Sequence, residues 1–341
     1  MPTAQQCGLN CALQGADYRR TGVEADGNSV TLHMYQKYQG ELVAVGPQIY
    51  LLDEDGKNYK VLHLLGQEIS FEVDVSNLPC GMNGGMYLAE MDPSGGRSHL
   101  NPAGAAYGTG YCDSQCYTSY AFIKGVANLD GKGTCCNEMD LWEANSKSNQ
   151  LTPHPCNITG FYACEGKHCG DGKAGVCDKV GCGFNPYALG APDFYGVQGK
   201  VDSQKPFRVV RRFMTDDHTE HGQLVEIRRL YMQDGKTIHN AEVTLRGSKY
   251  DSISPAYCKA TNADSFAQHG GLEHIGGALR RGMVLVMGIW NEGSDNLNWL
   301  DAGDAGPCNR KEGSPAAIKS NYPGTSVTFR HVRWGDFGTT F

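Results

Sequence analysis

A chain of 341 residues with 45 glycines, 14 prolines and only 20% charged residues suits one large domain or two ordinary ones, built from strands and turns rather than a helical bundle. Its 30 Lys and Arg against 37 Asp and Glu leave a formal charge of −7, which argues against nucleic acid as a partner and suits a neutral substrate. No apolar run reaches membrane-spanning length, so no membrane partner is expected.

Met1 to Asn10 is polar and lacks the apolar core of a secretion signal. Cys7 and Cys11 follow with no partner nearby. Ser29 to Gln36 and Gly46 to Leu52 read as strands, the second closed by the turn Asp53-Glu54-Asp55-Gly56. Ile69, Phe71, Val73 and Val75 alternate with Ser70, Glu72, Asp74 and Ser76, the pattern of a half-buried strand. Tyr87 to Met91 reads as another, ended by Asp92-Pro93-Ser94-Gly95-Gly96. Residues 101–135 are rich in Gly, Cys and Tyr.

The next stretch, Asn137-Glu138-Met139-Asp140-Leu141-Trp142-Glu143-Ala144-Asn145, packs three carboxylates beside an indole. Glu138 and Asp140 share one face of an extended strand. Glu143 joins them only if a bulge or turn resets the alternation after Asp140. Converging acids are what glycoside hydrolysis needs, one ionised to attack and one protonated to release the leaving group. A third acid separates their proton affinities, because like charges at short range do not all ionise. The competing reading of the pattern is a solvated acidic strand.

Residues 151–205 read as a long loop region rich in Cys and Gly, improbable in a compact domain unless stapled. The 14 cysteines cluster as Cys112/Cys116, Cys135/Cys136 and Cys164/Cys169/Cys177/Cys182, which is compatible with zinc or disulfides. No Cys-x-x-Cys pair occurs, and adjacent Cys135-Cys136 facing Cys-x-x-x-Cys suits two parallel staples. An oxidising, extracellular compartment follows. Asn157-Ile158-Thr159 is an N-glycosylation sequon consistent with it. The polar N-terminus conflicts with secretion unless a signal has been removed or the start of the chain is missing.

Phe207 to Thr215 and Leu224 to Met232 read as a strand pair, followed by the turn Gln233-Asp234-Gly235. Ser265 to Arg281 is the best helix candidate, weakened by Gly270, Gly271, Gly276 and Gly277. Met283 to Trp290 is a nearly continuous apolar run, the signature of a strand buried on both faces, and Ser326 to Trp334 is a last alternating strand. No βαβ rhythm, internal repeat or Ser/Thr/Pro-rich linker appears. The expected architecture is one all-β sandwich spanning 1–341 with long loops over one face.

Taken together the sequence resembles glycoside hydrolase family seven, the fungal-type cellulases. Besides the acidic stretch, the resemblance rests on Leu78-Pro79-Cys80-Gly81-Met82-Asn83-Gly84, Tyr107 to Cys116, Leu151-Thr152-Pro153-His154-Pro155-Cys156 and Cys182-Gly183-Phe184-Asn185-Pro186-Tyr187. It continues through Gly282 to Met287, Asn298-Trp299-Leu300-Asp301 and Val332-Arg333-Trp334-Gly335-Asp336. It implies a concanavalin-like β-jelly roll with disulfide-stapled loops and a cleft for cellulose. The implied reaction is retaining hydrolysis of β-1,4-glucosidic bonds by a monomer without cofactor or metal.

Carried over by position, Glu138 is the nucleophile, Glu143 the acid/base, Asp140 the group that holds Glu138, and His154 a neighbour of the acid/base. Without the resemblance His154 reads as a structural loop histidine. Asn83, Tyr87, Tyr111, Asp113, Ser114, Gln115 and Trp142 would line the cleft, and Trp290 and Trp299 would stack on glucose rings. The alternatives are turn chemistry around Cys112 and Cys116 for the polar residues, and core packing for the two tryptophans. The implied disulfides are Cys80–Cys308, Cys112–Cys136, Cys116–Cys135, Cys156–Cys177, Cys164–Cys169 and Cys182–Cys258.

The sequence departs from the family at two levels. The segments Gly125 to Cys135 and Asp301 to Cys308 are short where the cellobiohydrolase branch carries tunnel-forming insertions. Ala188 stands where that branch has an arginine on the leaving cellobiose. An open cleft and internal cutting are therefore expected, with cellobiohydrolase action, mixed-linkage β-glucanase action or an inactive glucan-binding fragment as alternatives. Family members also carry a further segment before the position of Cys7, so the chain is expected to be N-terminally incomplete.

Overall fold

The computed structural model describes residues 3–11 and 13–341. In chain order the strands of its two main sheets are Val23–Asp26 (β1), Ser29–His33 (β2), Gln48–Tyr50 (β3), Val61–Leu62 (β4), Glu68–Asp74 (β5), Asn83–Ala89 (β6), Glu138–Ala144 (β7), Asn149–His154 (β8), Phe207–Thr215 (β9), Leu224–Gln233 (β10), Lys236–His239 (β11), Met283–Trp290 (β12) and Ser326–Gly335 (β13). A seven-stranded sheet runs β1-β2-β13-β5-β9-β10-β11, and a six-stranded sheet runs β8-β7-β6-β12-β3 with β4 also on β12. All these pairings are antiparallel, and many join strands far apart in sequence, as a jelly-roll sandwich requires.

The alternation of the strands sets what lies between the sheets. Ile69, Phe71 and Val73 of β5, Phe207, Val209 and Phe213 of β9, and Phe329 of β13 point inward. They meet Met86 and Leu88 of β6, Met139, Leu141 and Trp142 of β7, and Leu285, Met287 and Ile289 of β12 in one core. Burying each large apolar side chain contributes about 1.5–3 kcal/mol, so this layer is the main force closing the sandwich. The opposite side of β12 is covered too. Val284 and Val286 pack with Tyr87, Ala89 and Met91 under the Cys112–Cys136 loop.

Three expectations from the sequence are corrected. Residues 151–154 belong to β8 rather than to a loop. Pro153 and Pro155 disguised it, yet β8 is the edge of its sheet, where a missing N–H is tolerated. The Ser265–Arg281 helix is broken into Asp264–Gln268 and Gly271–Arg281, with Gly270 between them at φ 91°. The strand expected at Tyr87 to Met91 starts earlier, at Asn83, because Gly84 and Gly85 hide the apolar rhythm while still pairing with β7 and β12.

All six disulfides link the residues that the family resemblance implied. Cys7 and Cys11 are unpaired. The two segments expected to be short are tied to neighbouring chain: Gly125 to Cys135 closes on itself through Asn128, whose Oδ1 accepts the Lys132 N–H at 2.8 Å, and its Gly133–Cys135 end pairs with residues 162–164. Residues 122–127 make a small hairpin, and Gly125 touches Gly8 of the Ala4–Leu9 helix so closely that a Cβ on Gly8 would lie 2.4 Å from the Gly125 carbonyl oxygen. The Ala305 carbonyl accepts from Ser148 Oγ at 2.9 Å and from Asn185 Nδ2 at 2.8 Å, which pins the Asp301–Cys308 turn beside the β7–β8 connection.

Candidate active site

β7 lies between β6 and β8, and its ladder slips on both sides after Asp140. Asp140 faces Tyr87 and Thr152, and Glu143 faces Gly85 and Gln150, but Leu141 has no partner on either neighbour. This is a β-bulge with one extra residue. Leu141 and Trp142 both turn into the core, and the alternation resumes with Glu143 on the same face as Glu138 and Asp140. The reset that the sequence required is therefore present.

Trp142 is corrected by the same geometry. It is fully buried between the sheets, edge-on to Tyr195, Phe207 and Tyr231, and does not line the cleft. Regular alternation would have put Trp142 on the face of Glu138 and Asp140, and the bulge turns it into the core beside Leu141 instead.

The three acids are almost withdrawn from water, at 7% exposure for Glu138, 5% for Asp140 and 8% for Glu143. Glu138 Oε2 accepts from the Ser114 backbone N–H at 3.0 Å and from Ser114 Oγ at 2.7 Å, so one residue holds that oxygen with two donors. Burial pushes the Asp140 carboxyl well above the usual range, followed by the charge of Glu138, their mutual hydrogen bond and the charge of Asp113. Glu143 is likewise raised well above its ordinary value, by burial and then by Asp140, while His154 and the Asn83 hydrogen bond pull the other way. Asn83 Nδ2 donates to Glu143 Oε1 at 3.0 Å, and its Oδ1 accepts the Ala144 N–H at 3.0 Å. One buried amide thus spans the acid and the backbone beside it.

His154 stands on β8 directly opposite Glu138. Its Nδ1 lies 2.9 Å from the Asp178 carbonyl, which only accepts, so Nδ1 carries a proton. Its Nε2 faces Asp140 Oδ2 at 3.0 Å. Gly181, with a φ of +74°, lets the chain pass over the imidazole; a Cβ there would lie 2.8 Å from His154 Cε1.

The remaining residues divide between contacts near the acids and positions further away. Asp113, beside Ser114, is pushed up to about 7 by burial and by Glu138, while its Oδ1 accepts the Cys116 N–H at 3.0 Å. Tyr87 and Tyr111 share a hydroxyl–hydroxyl bond of 2.9 Å, and Tyr87 meets the Trp290 ring edge-on at 6.4 Å. Trp290 lies over Gly85 and Gly288 rather than in the core. Gln115 is exposed and its Nε2 donates to the Lys179 carbonyl at 3.0 Å, and only distantly, at 3.5 Å, to Ser114 Oγ. Trp299 is 40% exposed on the Asn298–Asp301 helix. Asn157 is exposed on the rim of a separate hollow with Glu273, His274 and Arg280.

Sequence reasoning missed several supports. Asp301 Oδ2 accepts from Gly81 N–H at 2.7 Å and Asn145 Nδ2 at 2.6 Å, tying both ends of the catalytic stretch's neighbours together. Asn137 Nδ2 donates to Glu90 Oε2 at 2.7 Å, and Glu90 Oε1 pairs with Arg281 Nε at 2.6 Å. Asn145 and Asn137 flank the acids in the quoted motif, and that flanking was the only signal available.

A jelly roll that converges paired carboxyls on one sheet, one raised and one held by donors, defines a glycoside-hydrolase site. The model of glycosyl hydrolase family 7 matches residues 1–341, and the chain belongs to that family. It is 53% identical over 341 residues to the probable endo-beta-1,4-glucanase celB of Aspergillus terreus, covering 100% of this chain and 80% of that protein. The native endocellulase EGI of Humicola insolens superposes with a TM-score of 0.93 at 44% identity, over 99% of this chain and 83% of that one. A family 7 cellobiohydrolase from Daphnia pulex reaches 0.94 at 36% identity, over 100% and 86%. The fold alone therefore does not separate endo- from exo-action.

Proposed function

We propose that the protein is an endo-acting β-1,4-glucanase that hydrolyses internal bonds of cellulose and related glucans with retention of configuration. The carrying observation is the bulge after Asp140, which puts Glu143 on the face of Glu138 and Asp140. Relatives named as probable or established endo-β-1,4-glucanases at 50–53% identity, and one named an endoglucanase at 44%, support the substrate class. The short segments at 125–135 and 301–308, with exposed Ala188, support an open cleft.

In this reading Glu138, ionised under the two Ser114 donors, attacks the anomeric carbon. Glu143, kept protonated by burial, gives its proton to the departing glycosidic oxygen. A glycosyl ester on Glu138 results. Glu143, now a carboxylate, takes a proton from water, which attacks the same carbon and frees Glu138. Asp140 shares a proton with Glu138 and so stabilises the carboxylate as it departs. Asn83 and His154 limit how far the proton affinity of Glu143 climbs. Tyr111 and Trp290, partly exposed around the buried Tyr87, offer aromatic surface to sugar rings, and Trp299 offers more. We read residues 1–341 as one catalytic sandwich acting as a monomer. Six disulfides support an extracellular location, and Asn157 is the candidate glycan acceptor.

The test compares viscosity loss with new reducing ends on soluble carboxymethyl-cellulose. A steep viscosity fall with few ends is expected. Many ends with little viscosity loss would overturn endo-action. Glu138→Gln should abolish turnover while leaving binding, and equal, mild losses from Glu138→Gln and Glu143→Gln would overturn the role assignment.

A further inference from the structure

We infer that Arg211 is a positioning residue for Glu143: reaching across the sandwich from the opposite sheet, it holds the backbone of the bulge that turns Glu143 into the cleft. This rests on the reading of Glu143 as acid/base.

Arg211 occupies an inward position on β9, in step with Phe207, Val209 and Phe213, and is 0% exposed. A guanidinium there costs stability, because it leaves water for an apolar layer. Its register partner on β10 is Arg229, a second buried guanidinium. Arg229 lies over the rings of Phe184 and Tyr231, at 5.3 and 5.5 Å, and no acidic side chain among the described residues pairs with either guanidinium. Arg229 has a full set of acceptors in Asn240 Oδ1 at 2.9 Å, Asn149 Oδ1 at 2.6 Å and the Phe184 carbonyl at 3.4 Å. Arg211 has one good acceptor, the Leu141 carbonyl, at 2.7 Å from its Nε. Its Nη1 reaches the Val210 carbonyl only at 3.5 Å.

Leu141 is the residue without a ladder partner on either side of β7, and it is fully buried. A buried carbonyl released from its ladder needs a donor from elsewhere. Arg211 supplies a charge-assisted one at the point where the strand changes direction. An apolar side chain of similar volume would fill the same space without the desolvation cost, but would leave that carbonyl unheld. A local conflict of this kind marks a position that serves the site rather than the core.

The experiment measures kcat and KM per active site, titrated by the burst of released aglycone, on dinitrophenyl and phenyl β-cellobioside. The proteins are the wild type, Glu143→Gln, Arg211→Met and Arg211→Lys. Poor leaving groups need a placed acid and good ones do not. Arg211→Met should lower kcat/KM, which reports the leaving-group step, roughly ten- to hundred-fold on the phenyl substrate and far less on the dinitrophenyl one. Arg211→Lys, which keeps a charge but not the Nε direction, should lose less in the same sense. Equal losses on both substrates, or none, would overturn the inference. If the Met variant does not fold, the Lys variant decides by the same ratio. If Glu143→Gln itself shows no leaving-group dependence, the acid/base assignment has failed, and the inference with it.

Discussion

His154 Nε2 and Asp140 Oδ2 meet at 3.0 Å on adjacent strands, while the other ring nitrogen is committed to the Asp178 carbonyl. The contact therefore needs one proton, held by the imidazole or by the carboxyl, and the ring cannot turn to avoid it. His154 lowers the proton affinity of Glu143, against the burial and the Asp140 charge that raise it. Replacing His154 by Ala removes that opposition. The alkaline limb of the pH–rate profile should move to higher pH, and the rate at the optimum should fall roughly ten- to hundred-fold. A profile on soluble cellulose whose alkaline limb stays put or moves down would count against this.

Gly85 is where the Trp290 indole lies flat on the sheet. A Cβ there would stand 2.5 Å from Trp290 Cη2, closer than contact allows. Gly85→Ala should displace the ring and weaken oligosaccharide binding about ten-fold, the order of one lost sugar-stacking surface. Calorimetric titration of cellotetraose into the Glu138→Gln background, with and without Gly85→Ala, measures it directly. Unchanged affinity would remove Trp290 from the binding surface.

Asp113 carries a stability signature. Burial and then the charge of Glu138 push its carboxyl up to about 7, so the folded state binds this proton more tightly than the unfolded chain. The resulting stabilisation is full below the unfolded carboxylate range, near pH 4, and is lost as pH rises through about 7. The effect is on the order of a few kcal/mol. Asp113→Asn, which stays neutral, should flatten the decline. Urea unfolding at mildly acidic and mildly alkaline pH tests it; parallel declines in both proteins would refute it.

The Cys80–Cys308 bridge closes the longest loop of the six, with a sequence separation of 228. It fastens the entry to β6 against the Asp301 turn, where the Asp301 carboxylate already grips Gly81 and Asn145. The Cys80→Ala, Cys308→Ala double variant should lose about 3–5 kcal/mol. Thermal unfolding should show the loss as a lower midpoint, and an unchanged midpoint would mean that Asp301 alone holds the joint.

The site was legible because parity is a local property. Three acids at 138, 140 and 143 can share a face only through a break in alternation, and the break is present. The disulfides were not readable from spacing and came through the resemblance. What stayed hidden was set by tertiary packing. Pro153 argued against a strand until the edge position of β8 made it harmless. Trp142 looked like a cleft residue because its core role depends on the bulge aiming it at Phe207 and Tyr231. Arg211 carries no signal of its own within the Phe207–Thr215 strand, and only the opposite sheet shows what it holds.

The bulge also makes the catalytic strand tolerant in one direction and brittle in the other. With Leu141 deleted, the run Glu-Met-Asp-Trp-Glu would alternate without interruption, and all three carboxyls would still face outward at even spacing. An insertion of one residue at the same point would also give even spacing, six from Glu138 to the last acid, but would turn Leu141 out of the core among the acids. The shortened strand would have no freed carbonyl, and Arg211 would then be a buried charge with nothing to hold. Evolution along that route would have to lose the loop residue and the arginine together.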